Sequence, residues 1–351
     1  MRLSKIGLPL AAVLLLSAVS GWLAPSALAH AWLTVTLIFG LLPLGALAWL
    51  MCFGLTGGQW GTRTLPLWQA LASTLPLLVV SLLALLPFMD TLFPWTAPVE
   101  TLPEVVRHKT LYLNTPFFVI RLLLYAVIWL GLAYMQGLWG QRGRHQGAGH
   151  APGLVIWLLS LTFFGFDWFM SLEPRFYSDV FGLTLGANAM GAAMAVVVLF
   201  GAAQVTEGVR QDLSGLWISA LLGWVFLAFS QFIIIWSGNL PHEIGWYVHR
   251  SEGIWRAVSV LSFGLFSVIP FAALLSRSVR TSARGLMVTA VLCLAGHGLR
   301  IAWLILPAFE GETVLLWLIP LLLVTVGATY WVWMQEYGRS KQQVSREAAH
   351  V

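Results

Sequence analysis

Asp167, Arg121, Arg256, His297 and Arg300 fall inside or at the mouths of long apolar runs, and Gln231 and Glu243 lie at the end of another. An ionised side chain at bilayer depth is costly unless it is paired or faces water, so each position marks a structural ion pair, a ligand site or an ion pathway. Carboxylate, guanidinium and imidazole together suit two tasks. One is holding the carbonyl oxygens of a quinone. The other is passing protons between water-filled half-channels, for which imidazole has the ordinary pKa nearest neutrality. The plainer readings are an Asp neutralised by a neighbouring helix for packing alone, and a histidine bonded to a backbone carbonyl.

The elements that must position these groups are membrane helices. Apolar residues make up 59% of the 351 and charged residues 9%, with a mean hydropathy of +0.83, which excludes a soluble domain and a disordered chain. Windows of about 20 residues, enough to cross roughly 30 Å of hydrocarbon, fall at 6–24, 31–53, 65–88, 116–138, 153–171, 182–205, 214–236, 252–275, 285–306 and 313–335. The expected fold is all-α with ten transmembrane helices. At a rise of about 1.5 Å per residue, Asp167 sits about 21 Å along its helix from Gly153, while Arg121 and Arg256 sit about 7–8 Å inside theirs. Entering from opposite ends, these residues converge on the outer half of the membrane. His297 and Arg300, three apart, share a helix face.

Orientation follows from the loops. Arg2, Lys5, Arg63, Arg142, Arg144, Arg210, Arg277, Arg280, Arg284, Arg339, Lys341 and Arg346 fall on the side of the N-terminus, against Arg107, Lys109, Arg175 and Arg250 on the other. The positive-inside bias places both termini in the cytoplasm. The first run resembles a secretory signal ending at Ala27-Leu28-Ala29, but its length favours a retained helix. The recurrence of polar positions suggests a parallel repeat. Residues 1–30 then form an N-terminal helix, 31–171 a first four-helix bundle, 182–306 a second, and 313–351 a last helix with a cytoplasmic tail.

Cys52 and Cys293 lie in apolar spans, and no CxxC or CxxCH is present. His297 is the only histidine well inside an expected span, so a haem held by two histidines lacks its second ligand. The chain is expected to bring no redox centre of its own. The +5 net charge forms no basic stripe, so nucleic acid is not a partner. Ala187, Gly191 and Ala195 form a small-residue ridge for close helix contact. Gln231 and Asn239 add neutral hydrogen-bonding groups.

Three motifs carry a resemblance: residues 108–121 (HKTLYLNTPFFVIR), the corner at 167–174 (DWFMSLEP), and residues 229–241 (FSQFIIIWSGNLP) leading to 246–250 (WYVHR). In order and spacing they resemble the NrfD/polysulfide-reductase membrane subunits, most closely the ActF-type subunit of alternative complex III, the bacterial quinol:cytochrome c oxidoreductase. The resemblance implies a cofactor-free membrane subunit with two four-helix bundles, docked beside a homologous NrfD-like sister, an iron–sulfur subunit and multihaem cytochrome c subunits. Haem and iron–sulfur clusters would belong to those partners. Quinone or quinol would bind either here or in the sister, leaving proton conduction or scaffolding to this chain. Arg121, Asp167, His297, Arg300, Arg256, Gln231 and Glu243 are the residues expected to line the quinone pocket or proton path. Outside this class, a stand-alone secondary transporter and a purely structural anchor also accommodate intramembrane charge. Pro43, Pro76, Pro270 and Pro320 interrupt spans, but none is paired with glycines as an unwound transport site requires.

Overall fold

The computed structural model describes residues 7–139, 149–238, 241–309 and 317–349, and within them all regular structure is helical. The helices are α1 (Gly7–Leu23), α2 (Pro25–Thr56), α3 (Gln59–Ala72), α4 (Leu75–Leu83), α5 (Thr115–Met135), α6 (His150–Trp168), α7 (Phe181–Gly201), α8 (Glu207–Gly238), α9 (Pro241–His249), α10 (Gly253–Phe263), α11 (Ile269–Leu275), α12 (Ala283–Ile305) and α13 (Leu318–Ala349). Among the described residues nine segments are long and apolar enough to cross a membrane, Gln59–Leu92 and Gly253–Leu275 each being one broken span. The tenth expected span is α1, whose apolar part, Pro9–Leu23, is shorter than the other nine. It packs along α13 and α2, burying Val13 against Leu28, Leu322 and Val326.

α2 and α7 are the central pair. The apolar window of α2 is 89% buried, whereas that of α8 is 22% and that of α13 28%, so α2 runs through the protein core and α8 and α13 turn wide faces to lipid. A Cβ at Gly45 would fall 2.0 Å from the Ala189 carbonyl oxygen, so α2 and α7 cross backbone to backbone. The Trp49 indole N–H donates to the Met190 carbonyl at 2.9 Å and pins that crossing. Around the pair, α3 and α4 pack on α2, α8 packs on α7, α6 and α12 pack on both, α5 lies against α6, and α10 and α11 lie against α12. The ridge residue Gly191 faces Phe266 and Leu221.

Two breaks have visible causes. α3 passes into α4 ahead of Pro76, whose ring leaves carbonyls of the preceding turn unpaired. The buried Ser73 and Thr74 hydroxyls donate to the Ala70 and Leu71 carbonyls, both at 2.7 Å. Between α10 and α11, residues Gly264–Val268 form a π turn just before Pro270. Ser267 donates to the Phe263 carbonyl at 2.8 Å and the Cys293 thiol to that of Phe266 at 3.5 Å. A π turn inside a helix frequently marks a functional region. Phe266 and Ser267 of this turn pack directly beside the helix that carries His297.

Candidate functional site

The polar residues form two clusters. The first begins with the N-terminus of α5. Asn114 caps it, its side-chain oxygen accepting the Phe117 N–H at 2.9 Å, and Pro116 occupies the first turn. This start sets Arg121 in the second turn and Tyr125 one turn later on the same face. Asp167 lies in the last turn of α6, which runs the opposite way. Arg121 Nε donates to Asp167 Oδ2 and Nη2 to Oδ1, both at 2.9 Å, and the Tyr125 hydroxyl donates to Oδ2 at 2.6 Å. The third guanidinium nitrogen, Nη1, donates to the Tyr112 carbonyl at 2.9 Å. Asp167 is 1% exposed and Arg121 5%. The Tyr112 ring covers the guanidinium, its centroid 3.8 Å from Cζ, with the Phe117 ring at 4.4 Å. Burial, and the Asp167 carboxylate beyond it, push the Tyr112 phenol above its ordinary range.

On the far side of Tyr112 lies a cavity of about 570 Å³, lined by His108, Lys109, Phe166, Met170, Ser171 and Tyr177 among others. The Lys109 amine reaches across the corner to donate to the Pro174 carbonyl at 2.6 Å, and burial lowers its pKa. The Ser171 hydroxyl donates to the Asp167 carbonyl, tying the cavity wall to the end of α6.

The second cluster is built by α7, α8, α9 and α12. His297 is 1% exposed, its Nε2 2.9 Å from the Ile38 carbonyl of α2 and its Nδ1 2.8 Å from Asn188 Oδ1 of α7. The carbonyl only accepts, so Nε2 carries a proton. Two states of the Nδ1 contact are then self-consistent. An imidazolium meets the Asn188 oxygen, and a neutral imidazole meets the amide nitrogen after the amide turns over. Asn188 and Arg300 also border a cavity of about 10 Å³, with room for about one water molecule, together with Thr184, Gln231, Trp224 and Trp246. The Arg300 guanidinium lies 4.4 Å from the Trp303 ring and 5.6 Å from that of Trp224. Tyr247 and Arg250 act on it electrostatically. Tyr247 also lies beside Gln231, and burial raises its phenol above the ordinary value.

At the helix ends above this cluster, Arg250, 1% exposed, forms an ion pair with Glu173. Its Nη2 donates to the Leu304 carbonyl at 3.1 Å and its Nε to that of Trp303 at 3.3 Å. It stacks on Trp246, ring centroid 3.9 Å from Cζ, and Trp246 stacks in turn on Phe176 at 4.1 Å. His249 Nδ1 stands 4.0 Å from the other Glu173 oxygen, at the edge of a cavity of about 480 Å³.

Arg121 with Asp167, and His297 with Arg300 and Gln231, are therefore brought together as two groups rather than one, and among the described residues no hydrogen bond or ion pair joins them. Asp167 is committed to Arg121, so it does not neutralise Arg300. Arg256 joins neither group: it is exposed in the first turn of α10, and its Nε donates to the Ser251 carbonyl at 2.7 Å. Asn239 and the side chain of Glu243 lie outside the described residues. Tyr125 and Asn188 are not singled out by the sequence reading, and Tyr247 and Arg250 enter it only within the 246–250 motif and, for Arg250, as a loop cation. Tyr125 was detectable as the residue four beyond Arg121, and Asn188 as an amide inside an apolar run, while Arg250 reads as an ordinary loop cation. Among the described residues no three of His, Cys, Asp and Glu gather closely enough to hold a metal ion. The chain matches no protein-family model, and a search of curated proteins returns no similar sequence.

Proposed function

We propose that this membrane-embedded helical protein is a subunit of a quinone-linked respiratory assembly of the alternative complex III type, in a bacterial inner membrane with both termini cytoplasmic. Its role in that assembly is proton transfer. Electron transfer takes place on haem and iron–sulfur partners, beside a homologous sister subunit. The observation that carries the reading is His297, bonded at both ring nitrogens inside the helix core and next to a water-sized polar cavity. From the helix ends a series of polar groups leads inward: Glu173 and His249, Arg250, then Tyr247 and Arg300, then Gln231 and Asn188, and last His297. Such a series of polar groups at helix depth supports a half-channel from one membrane face to a titratable group. The imidazole receives a proton at Nδ1 as Asn188 turns over.

The cavity beside Tyr112 favours a second reading, quinone binding by this chain. Its volume of about 570 Å³ falls in the range of small-molecule sites, and its aromatic walls and few polar groups suit a ring with two carbonyls.

The test is His297→Gln, whose amide can still bond to Ile38 and Asn188 but cannot titrate. Extracted gently from its host, the variant should bring down the same haem-containing partners as the wild type. Reconstituted in vesicles, it should lose proton movement on addition of quinol. Normal proton movement would overturn the proton reading. Recovery of the wild-type chain only as a colourless homo-oligomer would favour the transporter. A photoreactive quinone that labels residues 108–112 or 170–179 would favour the second reading.

A further inference from the structure

We propose that the basic turn between α11 and α12 holds the headgroup of an anionic phospholipid, whose acyl chains run along the lipid-facing sides of the same two helices. Arg277, Arg280 and Arg284 fall within eight consecutive residues, and the chain from Gly253 to Phe309 contains no Asp or Glu. The turn joins two segments long and apolar enough to cross a membrane, Gly253–Leu275 and Ala283–Phe309, so it lies at the membrane surface, at the level of lipid phosphates. Its backbone is held in place. Arg277–Thr281 form a short helix between Ser276 and Ser282, both extended, and that helix packs on α8, α11 and α12. A Cβ at Gly285 would fall 3.2 Å from Val279 Cα, which presses the short helix against the start of α12, and the Ser282 hydroxyl caps α12 by accepting the Gly285 N–H at 3.1 Å.

The protein does not neutralise this charge. Among the described residues none of the three guanidinium groups meets a carboxylate within 4.0 Å, and the Nε of the half-buried Arg280 is enclosed without an acceptor. The acids at this end of α8 are Glu207, which accepts from Gln211 at 3.1 Å, and Asp212, which is exposed. The side chain of Glu347 lies outside the described residues, on a helix that packs against α1, α2 and α3. A second observation says what kind of anion fits. Arg284 is exposed and heads a stripe on α12 in which Val288 and Val291, four and seven residues on, are also exposed. Below the exposed Arg277, Leu275 and Val268, seven residues apart on the adjoining span, face outward in the same way. Each cation therefore stands at the head of an apolar stripe that descends into the hydrocarbon. An anionic phosphate with two long chains matches both parts of this surface, whereas free phosphate or an acidic peptide matches only the first. The site is independent of the proton and quinone readings, since it shares no residue with either.

The experiment uses the whole chain in its native assembly, reconstituted in phosphatidylcholine nanodiscs. These carry a small fraction of either phosphatidylglycerol or phosphatidylcholine with a photoreactive diazirine in the acyl chain, and mass spectrometry maps the labelled residues. The ratio of phosphatidylglycerol to phosphatidylcholine labelling should be higher at Leu275, Val288 and Val291 than at Val127 and Val324, which are exposed on α5 and α13. Unlabelled phosphatidylglycerol should compete, and inorganic phosphate should not. Arg277→Gln with Arg284→Gln changes two exposed side chains and should lower the ratio at the three sites by about tenfold or more, with labelling at Val127 and Val324 unchanged as the sign of an intact fold. Arg277→Lys with Arg284→Lys keeps the charge and should retain most of the preference. An equal ratio at all five positions in the wild type would overturn the site, as would a preference that survives the Gln pair. Competition by inorganic phosphate would assign the arginines to a free anion instead, and a turn shielded from both lipids by a crosslinked acidic protein would assign them to a partner. Either result would overturn the lipid.

Discussion

Arg121 and Asp167, 46 residues apart in sequence, meet as a fork of two 2.9 Å hydrogen bonds on antiparallel helices, with the Tyr125 hydroxyl on one of the carboxylate oxygens. The planar guanidinium matches the carboxylate at both nitrogens, so the pair fixes the rotation of α5 against α6 as well as balancing charge. All three guanidinium nitrogens and both carboxylate oxygens are engaged, which favours a structural role for the pair.

Breaking it from one side should therefore cost more than removing it. Asp167→Asn leaves a guanidinium 5% exposed without its counter-charge and should lower stability by about 3–5 kcal/mol. Arg121→Gln added to Asp167→Asn should recover most of that loss. Thermal unfolding of the detergent-solubilised chain checks both. If the double variant is no more stable than Asp167→Asn alone, the pair is not the determinant.

The contact between α12 and the π turn gives a second, sterically defined case. A Cβ at Gly296 would fall 2.2 Å from the Phe266 backbone nitrogen, and backbone cannot rotate out of the way as a side chain does. Gly296→Ala should destabilise by about 1–3 kcal/mol or more through overpacking, and should shift His297, the next residue. Gly298→Ala, two positions on, meets nothing within 4 Å and should be neutral or stabilising by up to ~1 kcal/mol, since alanine is the better helix former. Equal losses at the two positions would contradict the close approach.

How much of this was legible in the sequence varies by residue for physical reasons. Hydropathy places the spans, with ends within about eight residues, because every lipid-crossing helix must be long and apolar, and α1 is marginal because it is short. That Asp167 needs a cation follows from its depth. That the cation is Arg121 does not follow, because helical depth fixes height but not which neighbour a face meets. Asp167 and Arg300 are expected at similar heights, yet among the described residues no hydrogen bond or ion pair joins their groups. The break at Pro270 was visible, but the π turn ahead of it depends on Gly296 on another helix and has no local signature. Arg250 looked like a loop cation because its burial comes from Trp246, Trp303 and the carbonyls of α12, all distant in sequence from one another.

Arg250 yields a third expectation. Its guanidinium bonds the Trp303 and Leu304 carbonyls and pairs with Glu173, so Arg250→Met strands two carbonyls and a carboxylate and should cost about 3–5 kcal/mol. Glu173→Gln should be milder, about 1–3 kcal/mol, because the side chain is 26% exposed and its amide oxygen still accepts. Unfolding temperatures of the two variants, measured side by side, should rank in that order. The reverse order would mean that the Glu173 charge, rather than the carbonyl anchoring, holds the corner.

The last expectation concerns which end of the bundle faces which compartment. Glu173, after α6, and Arg250, after α9, are bonded to each other, so the segments at 169–180 and 250–252 share one end. The 94–114 segment shares it too, through Lys109 bonded to the Pro174 carbonyl. The opposite end carries Arg63, Arg210, Arg277, Arg280 and Arg284. The basic end should face the cytoplasm. A phosphatase that works only after export, fused after Thr101, should be active, and the same reporter after Gly147 or Val351 should be silent. A fluorescent protein that matures only in the cytoplasm should give the opposite pattern. Cytoplasmic signal from Thr101 would invert the orientation, and the series from Glu173 to His297 would then open to the cytoplasm and take its protons from there.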